Sequence, residues 1–140
     1  MEDVVDFFIP KCQMLGITAE MFGICDDDDK AEKTPAYVSL ENEEKWGAII
    51  KNHSGKPLNF TAVDNCVVVR RDKDDMENRC DEMLSNEDIL VFVELKNERQ
   101  KWFPHAVEKL QKTIDVFKQY NDVSMYKRNR AYACNVRHPN

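Results

Sequence analysis

The apolar run Ile89-Leu90-Val91-Phe92-Val93 passes without a break into Glu94-Leu95-Lys96, and this junction constrains the fold more than any other feature of the chain. β-Branched and aromatic residues at this density read as a strand. Alternation along the strand turns Glu94 and Lys96 to one side and Leu95 to the other. Charges closing such a run are costly to bury unless they are paired or hold a metal ion. Upstream, Arg79-Cys80-Asp81-Glu82-Met83-Leu84 is a second extended run, separated from the first by the polar turn Ser85-Asn86-Glu87-Asp88. Antiparallel pairing across that turn brings Asp81 toward Glu94 and Lys96.

Two carboxylates and an amine suit phosphodiester hydrolysis. Paired carboxylates hold a divalent ion that polarises a phosphoryl oxygen and acidifies a bound water, and a lysine stabilises charge on the phosphate or orients that water. Asp81 on one strand and Glu94-Leu95-Lys96 on the next resemble the signature of the PD-(D/E)xK nuclease superfamily, with Cys80 standing where that family often has proline. The resemblance implies an α/β restriction-endonuclease-like core in αβββαβ order, a central mixed sheet of about four strands flanked by helices. It implies Mg²⁺ or Mn²⁺ on Asp81, Glu94 and the backbone carbonyl of Leu95, with Lys96 beside the attacking water. Small members of the superfamily act in defence, repair or mobile-element contexts and often work as homodimers, so the expected substrate is nucleic acid, DNA first. Two other readings compete: a scaffold of this kind that has lost catalysis and binds a protein partner, and an α/β domain in which Glu94 and Lys96 are merely an ion pair.

The rest of the chain can be laid onto that order as one domain over 1–140, with residues 1–34 an N-terminal helical extension and acidic loop and residues 35–140 the core. Apolar residues from Val4 to Phe22 read as a helix broken near Pro10 and a second short segment after Gly16. Asp26 to Asp29 lack the alternation, central glycine and closing glutamate of a calcium loop, so they read as a solvated turn. Pro35 to Ser39 reads as a short strand or an extended lead-in to the next element. Trp46, Ile49 and Ile50 share a face at helical spacing, which predicts a helix from Ser39 or Asn42 to about Asn52. The resemblance places a supporting glutamate on that helix, and Glu44 is the candidate; a solvated acid favourable to the helix dipole is the other account of it. Leu58, Phe60 and Ala62 and then Cys66-Val67-Val68-Val69 lead into the first strand, with Asp64-Asn65 marking either a bend before it or a further acid near the site. Arg70 to Asn78 is a charged hairpin loop. Val107, Leu110, Ile114 and Phe117 form the stripe of a helix opening near Pro104 and running to about Tyr120. Gln111 beside that stripe is the resemblance's candidate for positioning water or phosphate, or equally a surface glutamine at the core's border. Arg130 to Val136 alternates as a final strand.

Composition sets outer limits. A 140-residue chain with 42% hydrophobic residues buries one core. No apolar run is long enough to span a membrane, and the acidic start is no secretory signal, so the expected setting is cytoplasmic. Five cysteines without a C-x-x-C pair read as reduced core thiols. The net charge of −6 argues against tight non-specific DNA binding, yet residues 96–140 carry +6, with Lys127, Arg128, Arg130 and Arg137 near Tyr126 and Tyr132.

Overall fold

A computed structural model of the chain describes residues 6–26, 35–41, 43–64, 66–67, 79–96 and 101–135. Eight strands, three short 3₁₀ turns and one α-helix make up the regular structure among them. The strands are β1 (Gln13–Ile17), β2 (Met21–Cys25), β3 (Tyr37–Ser39), β4 (Ala48–Lys51), β5 (Leu58–Ala62), β6 (Glu82–Ser85), β7 (Ile89–Lys96) and β8 (Arg128–Asn135); the helix α1 is Trp102–Tyr120. One sheet has five strands in the order β1-β5-β6-β7-β8, the other three in the order β3-β2-β4. All neighbours are antiparallel except β7 and β8, which are parallel and joined through α1. A parallel pair needs such a crossover.

Three layers result. On one face of the five-stranded sheet, Leu110 and Phe117 of α1 pack with Phe7, Val63, Met83, Leu90 and Phe92. Phe117 sits edge-on to Phe7 and Phe92, with ring centroids 5.1 and 5.4 Å away. On the other face, Leu58, Phe60, Ala62 and Leu84 meet Phe22, Ile24 and Ala48 of the smaller sheet. The two clusters follow from alternation: odd and even positions of β5, β6 and β7 feed opposite sides.

These observations correct the expected αβββαβ core, the sheet of about four strands flanked by helices. The larger sheet has five strands, a second sheet of three covers one of its faces, and the described residues hold only one α-helix. The expected helix from Ser39 or Asn42 to Asn52 is a 3₁₀ turn (Glu43–Lys45) followed by β4. Trp46, Ile49 and Ile50 do not share a helical face: the Trp46 ring lies over Gly23, where an added Cβ would come within 2.0 Å of it. Only glycine admits that approach. Of the expected N-terminal helices, Val4 and Val5 lie outside the described residues, and Met14 to Phe22 fall on β1 and β2 instead. At Gly16 (φ 68°) the β1–β5 register slips between Met14 and Ile17, as at a bulge. The expected strand at Cys66-Val67 is a turn, since Val67 N–H and Cys66 N–H both donate to the Val63 carbonyl; Val68 and Val69 lie outside the described residues, as do Arg70 to Asn78.

The cysteine expectation is also corrected. Cys12 and Cys66 form a disulfide with Cα atoms 5.8 Å apart across a sequence separation of 54, while Cys25, Cys80 and Cys134 are not disulfide-bonded. No helix among the described residues is long and apolar enough to cross a membrane.

Candidate active site

Asx-turn chemistry closes the hairpin that builds the site. Asn86 Oδ1 accepts the backbone N–H groups of Asp88 and Ile89 at 2.7 and 3.0 Å, fixing the tight turn between β6 and β7. The register then pairs Glu82 with Val93 and Met83 with Phe92. One more step sets Asp81 across from Glu94. Both point to the α1 face, as does Lys96, because Leu90 and Phe92 at the same parity pack under the helix.

Backbone hydrogen bonds pin Asp81 from three directions. The Leu95 N–H donates to Asp81 Oδ2 at 2.7 Å. The Val63 and Asp64 N–H groups donate to the Asp81 carbonyl at 2.9 and 3.4 Å. The preceding Cys80 N–H donates to Thr113 Oγ1 on α1 at 2.8 Å. Leu95, expected to lend its carbonyl to an ion, therefore also orients the neighbouring carboxylate through its N–H.

Glu94 is the electrostatic centre. Its Oε2 lies 3.5 Å from Lys96 Nζ and 3.5 Å from Lys109 Nζ. Its Oε1 is buried and receives no donor among the described residues. Asp81 and Glu94 are themselves hydrogen-bonding neighbours. Burial, then the Glu94 charge, pushes the Asp81 carboxyl from 3.8 up to about 7. Burial also raises Glu94, against the pull of Lys109 and Lys96. Burial lowers Lys109, but the Glu94, Asp81 and Asp64 carboxylates outweigh it and hold that ammonium group above its ordinary range. Asp26, just past β2, hydrogen-bonds Asp81, and Asp64 adds its negative charge to both members of the pair.

Asp81, Glu94 and Lys96 are thus brought together, and Asp64 joins them as an acid near the site. Gln111 and Glu44 are not. Gln111 is exposed and donates from Nε2 to Asp115 at 2.9 Å. Glu44 lies exposed in the 3₁₀ turn before β4. The residue that α1 contributes is Lys109. The buried stripe of the helix is Ala106, Leu110, Thr113 and Phe117, whereas Val107 is exposed. That stripe is centred about 50° around the helix from Val107-Leu110-Ile114-Phe117, which turns Lys109 inward and Gln111 outward. The small residues Ala106 and Thr113 were the signal.

A divalent ion fits this donor set. Burial and the Glu94 charge favour the protonated form of Asp81, whose proton a cation would replace, and Glu94 Oε1 is buried with no donor among the described residues. Among the described residues no group of three or more His, Cys, Asp or Glu side chains is gathered to hold an ion. Magnesium, which commonly uses one or two carboxylates and keeps several waters, requires no more than the pair. No family model, no curated protein and no solved structure matches the chain.

Proposed function

We propose that the protein is a Mg²⁺- or Mn²⁺-dependent nuclease that hydrolyses phosphodiester bonds in DNA. The observation that carries this reading is the contact between the buried Asp81 and Glu94 carboxyl groups, with two ammonium groups 3.5 Å from Glu94. Asp81 and Glu94 would hold the ion, which when bound polarises the phosphoryl oxygen and acidifies a water. Lys96 and Lys109 would stabilise the negative charge that gathers on a phosphate, and they come from β7 and α1. Leu95 N–H and Thr113 keep Asp81 facing Glu94.

Glu94→Gln keeps the shape of the side chain and removes its charge. The expected outcome is loss of plasmid cleavage in Mg²⁺ or Mn²⁺ and loss of Mn²⁺ binding by titration calorimetry, with an unchanged circular dichroism spectrum. Cleavage at the wild-type rate in this variant overturns the reading.

One observation favours a second reading. Both ammonium groups close on the same Glu94 oxygen, as in a structural ion-pair network, which suits a non-catalytic protein-binding module. Failure of the wild-type protein to bind Mn²⁺ would select it.

A further inference from the structure

Half of β8 is uncovered. Arg128, Asn129, Arg130, Ala131 and Tyr132 are exposed, whereas Ala133, Cys134 and Asn135 are half-buried. The strand lies at the edge of the five-stranded sheet, beside β7. Alternation puts Arg128, Arg130 and Tyr132 on the face turned away from α1; Ala133, of the opposite parity, packs into the helix-side core. The apolar cluster beneath the smaller sheet reaches this part of the face only at Ile89, Val91, Leu95 and Cys134, and Tyr132 keeps 48% of its surface.

Among the described residues the guanidinium groups of Arg128 and Arg130 have no acidic partner, in a chain that carries 26 acidic residues against 20 basic ones. Neighbouring Lys127 does pair, with Asp88 at 3.6 Å. Two cations and an aromatic ring at intervals of roughly 6.6 Å along one strand face supply what a single-stranded nucleic acid binds: charge for phosphates and a flat surface for a base. The same charges oppose edge-to-edge pairing with a second copy of the strand.

Register connects this strip to the carboxyl pair. Because β8 runs parallel to β7, Arg128 lies beside Ile89 and Tyr132 beside Val93, one step short of the Glu94–Ala133 pair. Asp81 and Glu94 lie at that end of the sheet but project from the opposite face, toward α1, so a polymer laid along β8 meets them by turning over the outer edge of the sheet.

We propose that the exposed half of β8 is a landing strip for single-stranded nucleic acid, with Arg128 and Arg130 on phosphates and Tyr132 stacked on a base. That the strip feeds a cleavage site rests on the nuclease reading; that it binds does not. The test is fluorescence anisotropy of a labelled thymidine oligonucleotide with the full chain in EDTA, where no metal-dependent cleavage occurs. Arg128→Ala/Arg130→Ala should bind at least about tenfold more weakly and lower the slope of log affinity against log salt by about 1.4. Tyr132→Ala should weaken binding by about tenfold while leaving that slope unchanged. Wild-type affinity in the double arginine variant, with an unchanged melting temperature, overturns the proposal. So does a wild-type dimer in sedimentation that the double variant dissociates, since the edge would then be a subunit contact. Cleavage retained in Glu94→Gln removes the nuclease reading and leaves the strip standing; binding retained in the arginine variant does the reverse.

Discussion

Thr113 Oγ1 accepts the buried Cys80 N–H at 2.8 Å while donating to the Lys109 carbonyl at 2.8 Å, so one hydroxyl ties the residue before Asp81 to the helical turn that carries Lys109. Thr113→Val preserves the shape and removes both bonds. The Cys80 N–H is left buried without an acceptor, which costs about 1–3 kcal/mol. Denaturant unfolding should show that loss, and the proposed cleavage should fall with it because Asp81 loses its anchor. A variant as stable as the wild type would show that the hydroxyl does not hold the strand.

The Asp81 carboxyl, raised from 3.8 to about 7 by burial and then by Glu94, makes stability depend on pH. Between those values the folded protein keeps a proton that the unfolded chain has released. Metal-free stability is therefore greatest below the lower value and declines as pH rises through the window. Asp81→Asn should flatten that decline, and Mn²⁺ should flatten it in the wild type by taking the proton's place. A melting temperature that rises with pH over this window would contradict the assignment.

Glu82 points to the opposite face, toward the smaller sheet, fully buried with neither carboxylate oxygen accepting a hydrogen bond among the described residues. Burial, then Asp81 and Glu94, pushes its carboxyl well above the ordinary range. Glu82→Met has a similar length and no polar atom to desolvate, so it should stabilise the protein by about 1–2 kcal/mol. Destabilisation in a chemical denaturation series would mean that Glu82 has a partner.

Cys12 and Cys66 close a loop over a sequence separation of 54. Loop-closure entropy assigns such a crosslink about 4 kcal/mol. Cys12→Ser/Cys66→Ser should lower unfolding free energy by about 2–4 kcal/mol, and a reductant should do the same to the wild type. Identical denaturation midpoints with and without dithiothreitol would show that the bridge carries no stability.

The carboxyl pair was legible because it is local. A strand, an Asx turn and a second strand are written in consecutive residues, and period-two alternation then decides which side chains meet. The contribution of α1 was half legible. Its extent could be read near Pro104 to Tyr120, but its rotation depended on Ala106 and Thr113, small residues that hydrophobic spacing overlooks. The smaller sheet was not legible: β4 has only four residues, Ile49 and Ile50 fit either period, and the deciding contact is Trp46 on distant Gly23. The Cys12–Cys66 pairing left no trace in the spacing of the cysteines, since it arises only when β1 lies beside β5.

That bridge also has a consequence for how the chain holds together. Between its two sulfur atoms run β1 to β5, so all of the smaller sheet hangs from one covalent ring. A protease that nicks the backbone once inside the ring, for instance at the exposed His53-Ser54-Gly55 bend, releases nothing: the two fragments migrate as one species until a thiol is added.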